Sequence, residues 1–153
     1  MNITKTLGFA AVAATLLFQT PTLRADDKGD CDGPRRITFE KCWVVADEPF
    51  GGHFAGTVAS DCGAGTVSFT YMSILQDLPF VRFSGEYTVT ITPACSFKTV
   101  CAGEVDTRTG RIELNGVVTD GPSIGDLVRV RARLNAAGNC SAGTMTITPT
   151  KRK

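Results

Sequence analysis

From Arg35 onward the chain alternates apolar and polar positions with a period of two, and clusters of Gly, Pro and Asp interrupt the alternation. A period of two puts one set of side chains on each face of an extended strand. The clearest run sets Val128, Val130, Ala132 and Leu134 on one face and Arg129, Arg131 and Arg133 on the other. Another sets Phe83, Gly85, Tyr87, Val89 and Ile91 against Arg82, Ser84, Glu86, Thr88, Thr90 and Thr92. The pattern predicts eight strands, at 36–46, 53–60, 66–74, 80–92, 99–106, 111–118, 126–134 and 141–148. The links between them, such as Glu48-Pro49-Phe50-Gly51-Gly52 and Thr107-Arg108-Thr109-Gly110, contain the residue types that tight turns need. Within the strand region a helical period is absent, although residues 72–78 (MSILQDL) leave room for one helical turn.

Short strands joined by short links form antiparallel hairpins, so the fold class is all-β. Eight strands is the number at which a closed barrel either fills its interior or holds one small ligand, and closure removes aggregation-prone edges. A small antiparallel eight-stranded barrel is therefore expected, with a β-sandwich as the alternative. Residues 61–70 (DCGAGTVSFT) and 139–148 (NCSAGTMTIT) echo one another, as two Gly-containing turns feeding strands would.

Before the alternation begins, the chain has a different character. Lys5 precedes an apolar stretch from Leu7 to Phe18, and a polar exit ends at Ala25. The stretch is too short to span a bilayer, and its flanks match a cleaved secretory signal. The organisation read from sequence is a signal peptide at 1–25, an acidic leader at 26–34, one barrel domain at 35–149 and a basic tail at 150–153. Lys5 and Arg24 leave with the signal, taking the 16 Lys+Arg to 14 against 15 Asp+Glu. A near-neutral chain argues against nucleic acid as a partner, and nothing after residue 25 is apolar enough for stable membrane insertion. The expected location is outside the cytoplasm, in a periplasm or beyond the cell.

All six cysteines follow the signal, an even count that reads as three disulfides. A metal centre would need close Cys pairs or several histidines, and His53 stands alone, so no metal or other cofactor is expected. Following the strands up and down a barrel suggests the pairs Cys95–Cys101, Cys31–Cys62 and Cys42–Cys140. The last would join the first strand to the eighth across the closing seam.

Candidate chemistry is sparse. Gly121-Pro122-Ser123-Ile124-Gly125 has the spacing of a hydrolase nucleophile elbow, but a strand follows Ser123 where that motif needs a helix, and His53 precedes it. His53, the sole imidazole, is a candidate at a barrel mouth. Tyr71 and Tyr87, with Trp43, Phe54, Phe69, Phe80 and Phe83, are candidates to line a cavity. Glu86, Glu104 and Glu113 are the strand carboxylates available for acid–base work, with Glu86 and Glu113 on the polar faces. Arg129, Arg131 and Arg133 place three guanidinium groups on one face about 7 Å apart, a dock for an anionic surface or glycan.

No catalytic constellation assembles from these residues. Three readings remain. The first is a non-enzymatic exported module that takes a small or surface-borne ligand through His53, Tyr71, Tyr87 and the three arginines. The second is a cell-surface interaction protein with an anionic partner on the arginine face. The third is a cofactor-free isomerase or cyclase built on a carboxylate inside the barrel. A filled interior, without a void of about 300 Å³, would tell against the small ligand.

Overall fold

The computed structural model describes residues 35–150. Eight antiparallel strands close into one barrel in chain order: β1 (Arg35–Val45), β2 (Gly52–Ser60), β3 (Gly63–Asp77), β4 (Phe80–Thr90), β5 (Phe97–Asp106), β6 (Arg111–Asp120), β7 (Leu127–Leu134) and β8 (Cys140–Thr148). Each strand pairs with its successor, and β8 returns to β1 with Lys41 opposite Ser141 and Cys42 opposite Cys140. The expected barrel is thus the fold found, and the sandwich is not. The signal at 1–25, the acidic leader with Cys31, and Lys151-Arg152-Lys153 lie outside the described residues.

Alternation decides what fills the barrel. Ile37, Phe39, Phe69, Tyr87, Leu114, Val130, Met145 and Ile147 all point inward and are buried. An eight-stranded barrel is just wide enough for such side chains to meet at its axis. The outward positions carry Thr88, Thr90, Arg129, Arg131 and Thr146 among others. This apolar-in, polar-out order is the reverse of a transmembrane barrel. Glycines let the wall draw in where large rings need room. A Cβ at Gly116 would stand 2.6 Å from Cys101 Sγ, and one at Gly85 would collide with the Phe69 ring.

Residues 72–78 do not form a helical turn. β3 runs through to Asp77, and its register with β4 shifts between Tyr71 and Ser73. The extra residue, Met72, reverses the phase of the alternation. Tyr71 faces inward opposite Gly85, and the next residue in that row is Ile74, opposite Phe83. An inward spacing of three mimics a helical period, which is why the sequence misleads here.

Loops 46–51, 78–79, 107–110 and 135–139 form one rim, called upper here. Loops 61–62, 91–96 and 121–126 form the lower rim. A disulfide joins Cys42 to Cys140, Cα–Cα 4.0 Å, on the outer face of the β1–β8 seam as expected. A second joins Cys62 to Cys95, Cα–Cα 6.4 Å, and ties two lower-rim loops together. This overturns Cys95–Cys101 and Cys31–Cys62. β5 starts at Phe97, so Cys101 lies well inside the barrel wall opposite Gly85 and forms no disulfide. Two disulfides point to an oxidising, non-cytoplasmic compartment. Cys101 is 1 % exposed. A thiol reagent should therefore modify it about 100-fold more slowly in the native protein than after unfolding without reductant. Peptide mass mapping would detect native labelling at the rate of an open thiol, which would contradict its place in the wall.

Candidate functional site

The barrel interior is packed around an amine. Along β1 the inward row runs Ile37, Phe39, Lys41, Trp43, so Lys41 enters the core between two aromatic rings. It is 4 % exposed. Its Nζ lies 4.5 Å from the ring centroids of Phe54 and Phe69, 4.8 Å from Tyr87 and 5.9 Å from Phe39. Aromatic faces attract an ammonium, but they replace little of the water it loses. Burial accordingly pushes the Lys41 pKa down to about 7, with the nearby Cys101 opposing the fall. Cys101 Sγ lies 3.6 Å from Thr99 Oγ1, and burial pushes its thiol above the usual range despite that hydrogen bond. Burial likewise raises the hydroxyls of Tyr71 and Tyr87, the latter far more.

Tyr71 and Tyr87 therefore do come together, in a packed aromatic core that leaves only a small void between them. Tyr71 stacks edge-on with Phe69 at 5.1 Å and Phe83 at 5.4 Å, and Tyr87 meets Phe69 at 4.6 Å. Trp43 packs on Phe54 at 5.2 Å above them. The cavity left among Lys41, Tyr71, Tyr87 and Ser141 measures about 30 Å³. That is the room of one water molecule, against the several hundred cubic ångströms of an ordinary ligand site.

His53 stands at the upper rim, one residue into β2, with its ring outside the barrel. It faces outward on β2, opposite the exposed Val44, and its Nδ1 lies 2.9 Å from Glu48 Oε1. It fastens the β1–β2 loop. Ser123 sits in the lower-rim loop 121–126, at the opposite end of the barrel from His53, and its carbonyl accepts the Asp126 N–H at 3.0 Å. That geometry is a turn, not a nucleophile elbow. Glu86, Glu104 and Glu113 all face outward, with Lys98 3.4 Å from Glu86 and Arg82 3.8 Å from Glu104. None of these three strand carboxylates points into the barrel; Asp126, in the lower-rim loop, is buried instead, and its Oδ1 accepts the Thr150 N–H at 3.1 Å.

The larger concavity is on the outer wall. Register sets Ser73, Ser84, Ala102 and Asn115 in one row across β3 to β6, and Leu75, Arg82, Glu104 and Glu113 in the row above. The small side chains of the first row form the floor of an open groove of about 570 Å³. Both rows run on into β7: Asn115 pairs with Arg129, and Glu113 with Arg131. The arginine face and the groove are one continuous surface, a connection that alternation within single strands does not reveal.

Charge on this surface is unbalanced. Arg82, Arg111, Arg129, Arg131 and Arg133 face outward in the same rows as Glu104, Glu113, Asp106 and Asp77, a surplus of one positive charge that is concentrated on β7. Glu113 is bonded by Arg111 and lies 3.8 Å from Arg131, and these guanidinium groups hold its carboxyl below the usual range. Arg133 Nε donates to the Thr109 carbonyl at 3.1 Å. Arg129 contacts no carboxylate among the described residues. Arg111 and Arg133 are cross-strand partners, an unfavourable like-charge pairing.

Comparison of the chain with protein-family models, with curated proteins and with solved structures finds no match to any of them.

Proposed function

We propose that this chain is an exported binding module that meets its ligand on the outer wall of the barrel, not inside it. The ligand class that fits is an extended anionic chain, such as an acidic or sulfated glycan. Its body lies along the Ser73–Ser84–Ala102–Asn115 floor, and its acidic groups reach Arg129, Arg131 and Arg133. The observation that carries this reading is the contrast in space and charge. The interior cavity holds about 30 Å³, whereas the wall groove holds about 570 Å³ and ends on arginines with surplus charge. Arginine forks match carboxylate and sulfate groups geometrically, and Arg129, which acts on Glu113 only at a distance, needs no contacting carboxylate displaced before it binds.

The test is a binding survey of the purified protein over sulfated, uronate-rich and neutral oligosaccharides. Binding is expected to the first two classes and to weaken with salt, because the contacts are solvent-exposed. Replacing Arg129, Arg131 and Arg133 together with alanine is expected to weaken it by about 100-fold, roughly 1 kcal/mol per exposed charged contact. Equal binding by the wild type and the triple variant would end the proposal, as would preference for the neutral set.

A further inference from the structure

Lys41 and Ser141 are direct partners across the β1–β8 seam, and both point into the barrel. Ser141 is 2 % exposed, and its Oγ has no hydrogen-bond partner. Both line the same cavity of about 30 Å³. The rings of Phe54, Phe69 and Tyr87 occupy other sides of Nζ, so Ser141 marks the polar side of the cavity. A buried ammonium calls for a counter-charge, and a buried hydroxyl calls for a hydrogen-bond partner. One small anion between them answers both needs.

We propose that the space between Lys41 and Ser141 is a binding site for a single halide-sized anion, chloride being the abundant member of that class. The ion receives an N–H from Lys41 and the O–H of Ser141. The cavity matches a water-sized sphere and excludes sulfate, phosphate and carboxylates. This site is independent of the outer-wall reading and stands or falls without it.

Occupancy requires Lys41 in its charged form, so the site fills on the acid side of neutrality, where the amine, lowered to about 7, takes up its proton. The other titratable groups facing it are Tyr71 on β3, Tyr87 on β4 and Cys101 on β5, and burial keeps all three protonated and uncharged. The neighbouring β2, β6, β7 and β8 present Phe54, Ile112, Leu134 and Ser141, which do not titrate. Among the described residues that line the cavity, none carries a negative charge to compete with the anion.

The experiment is thermal unfolding of the mature protein at pH 5.5, with sodium methanesulfonate exchanged for sodium bromide at constant ionic strength. Bromide at about ten times its dissociation constant should raise the midpoint by roughly 5 °C. The rise should vanish at pH 9 and in Lys41→Met, and Ser141→Ala should need about tenfold more bromide. A flat response in the wild type overturns the proposal. So does an equal rise in Lys41→Met, a rise that persists at pH 9, or a full response in Ser141→Ala.

Discussion

Lys41→Met is expected to stabilise the protein by about 2–4 kcal/mol at pH 7 in chloride-free buffer and to flatten its stability between pH 7 and pH 9. Methionine has nearly the length of lysine, carries no charge and packs well against aromatic rings, so it suits the cage formed by Phe54, Phe69 and Tyr87. The direction of the pH effect follows from proton counting. In the unfolded chain the amine titrates at its ordinary 10.5, and in the fold at about 7. Between those values the unfolded state holds more protons, so stability rises with pH. Each unit inside the window contributes about 1.4 kcal/mol, giving the wild type a gain of roughly 2–3 kcal/mol from pH 7 to pH 9. Below pH 7 both states are protonated and the full penalty of burying the charge applies. Above pH 9 the trend is opposed. Cys101 keeps its proton in the fold when the unfolded thiol has lost it, and Tyr71 and Tyr87 act in the same sense at higher pH. Urea midpoints at matched slope, measured for both proteins at several pH values, check the prediction. A variant less stable than the wild type at pH 7, or one with the same pH slope, would mean that the amine is not carried uncompensated inside the barrel.

The barrel was legible because strand alternation is a local signal. Val128 to Leu134 and Phe83 to Ile91 declare their inner and outer faces without any tertiary information. The same signal contains Lys41: it shares parity with Ile37, Phe39 and Trp43, while Arg36, Thr38, Glu40 and Cys42 take the opposite face. A charged residue in an inward row conflicts with composition, and composition is the weaker guide where alternation is regular. Met72 shows the opposite failure. There one bulged residue changes the phase, and nothing local distinguishes a bulge from a helical turn. The outer groove was hidden for another reason. Its floor comes from four strands, and only the register shows that Ser73, Ser84, Ala102 and Asn115 stand level. Cysteine pairing failed where it depended on a strand boundary. With β5 beginning at Phe97, Cys101 moves from a rim position into the wall.

Removing the seam disulfide, by Cys42→Ala with Cys140→Ala, is expected to destabilise the protein by about 3–4 kcal/mol, more than removing the lower-rim bridge. The two cysteines are 98 residues apart, so their link restricts nearly the whole unfolded barrel, whereas Cys62 and Cys95 are 33 apart. Loop-closure entropy alone separates the two bridges by about 1 kcal/mol. Position adds to this. Every other strand pairing is reached through a short hairpin link, but β1 meets β8 only after the other six strands are in place. The seam is thus the pairing with the greatest chain-entropy cost, and opening it would turn a barrel into a sheet with two bare edges. The bridge lies on the outer face one residue from the inward pair Lys41 and Ser141, so it also holds the buried amine beside its polar neighbour. Denaturant midpoints for the two double variants, each made in the otherwise native chain, provide the comparison. A larger loss from Cys62→Ala with Cys95→Ala would show that the lower rim, and not the closing seam, is where this barrel is weakest.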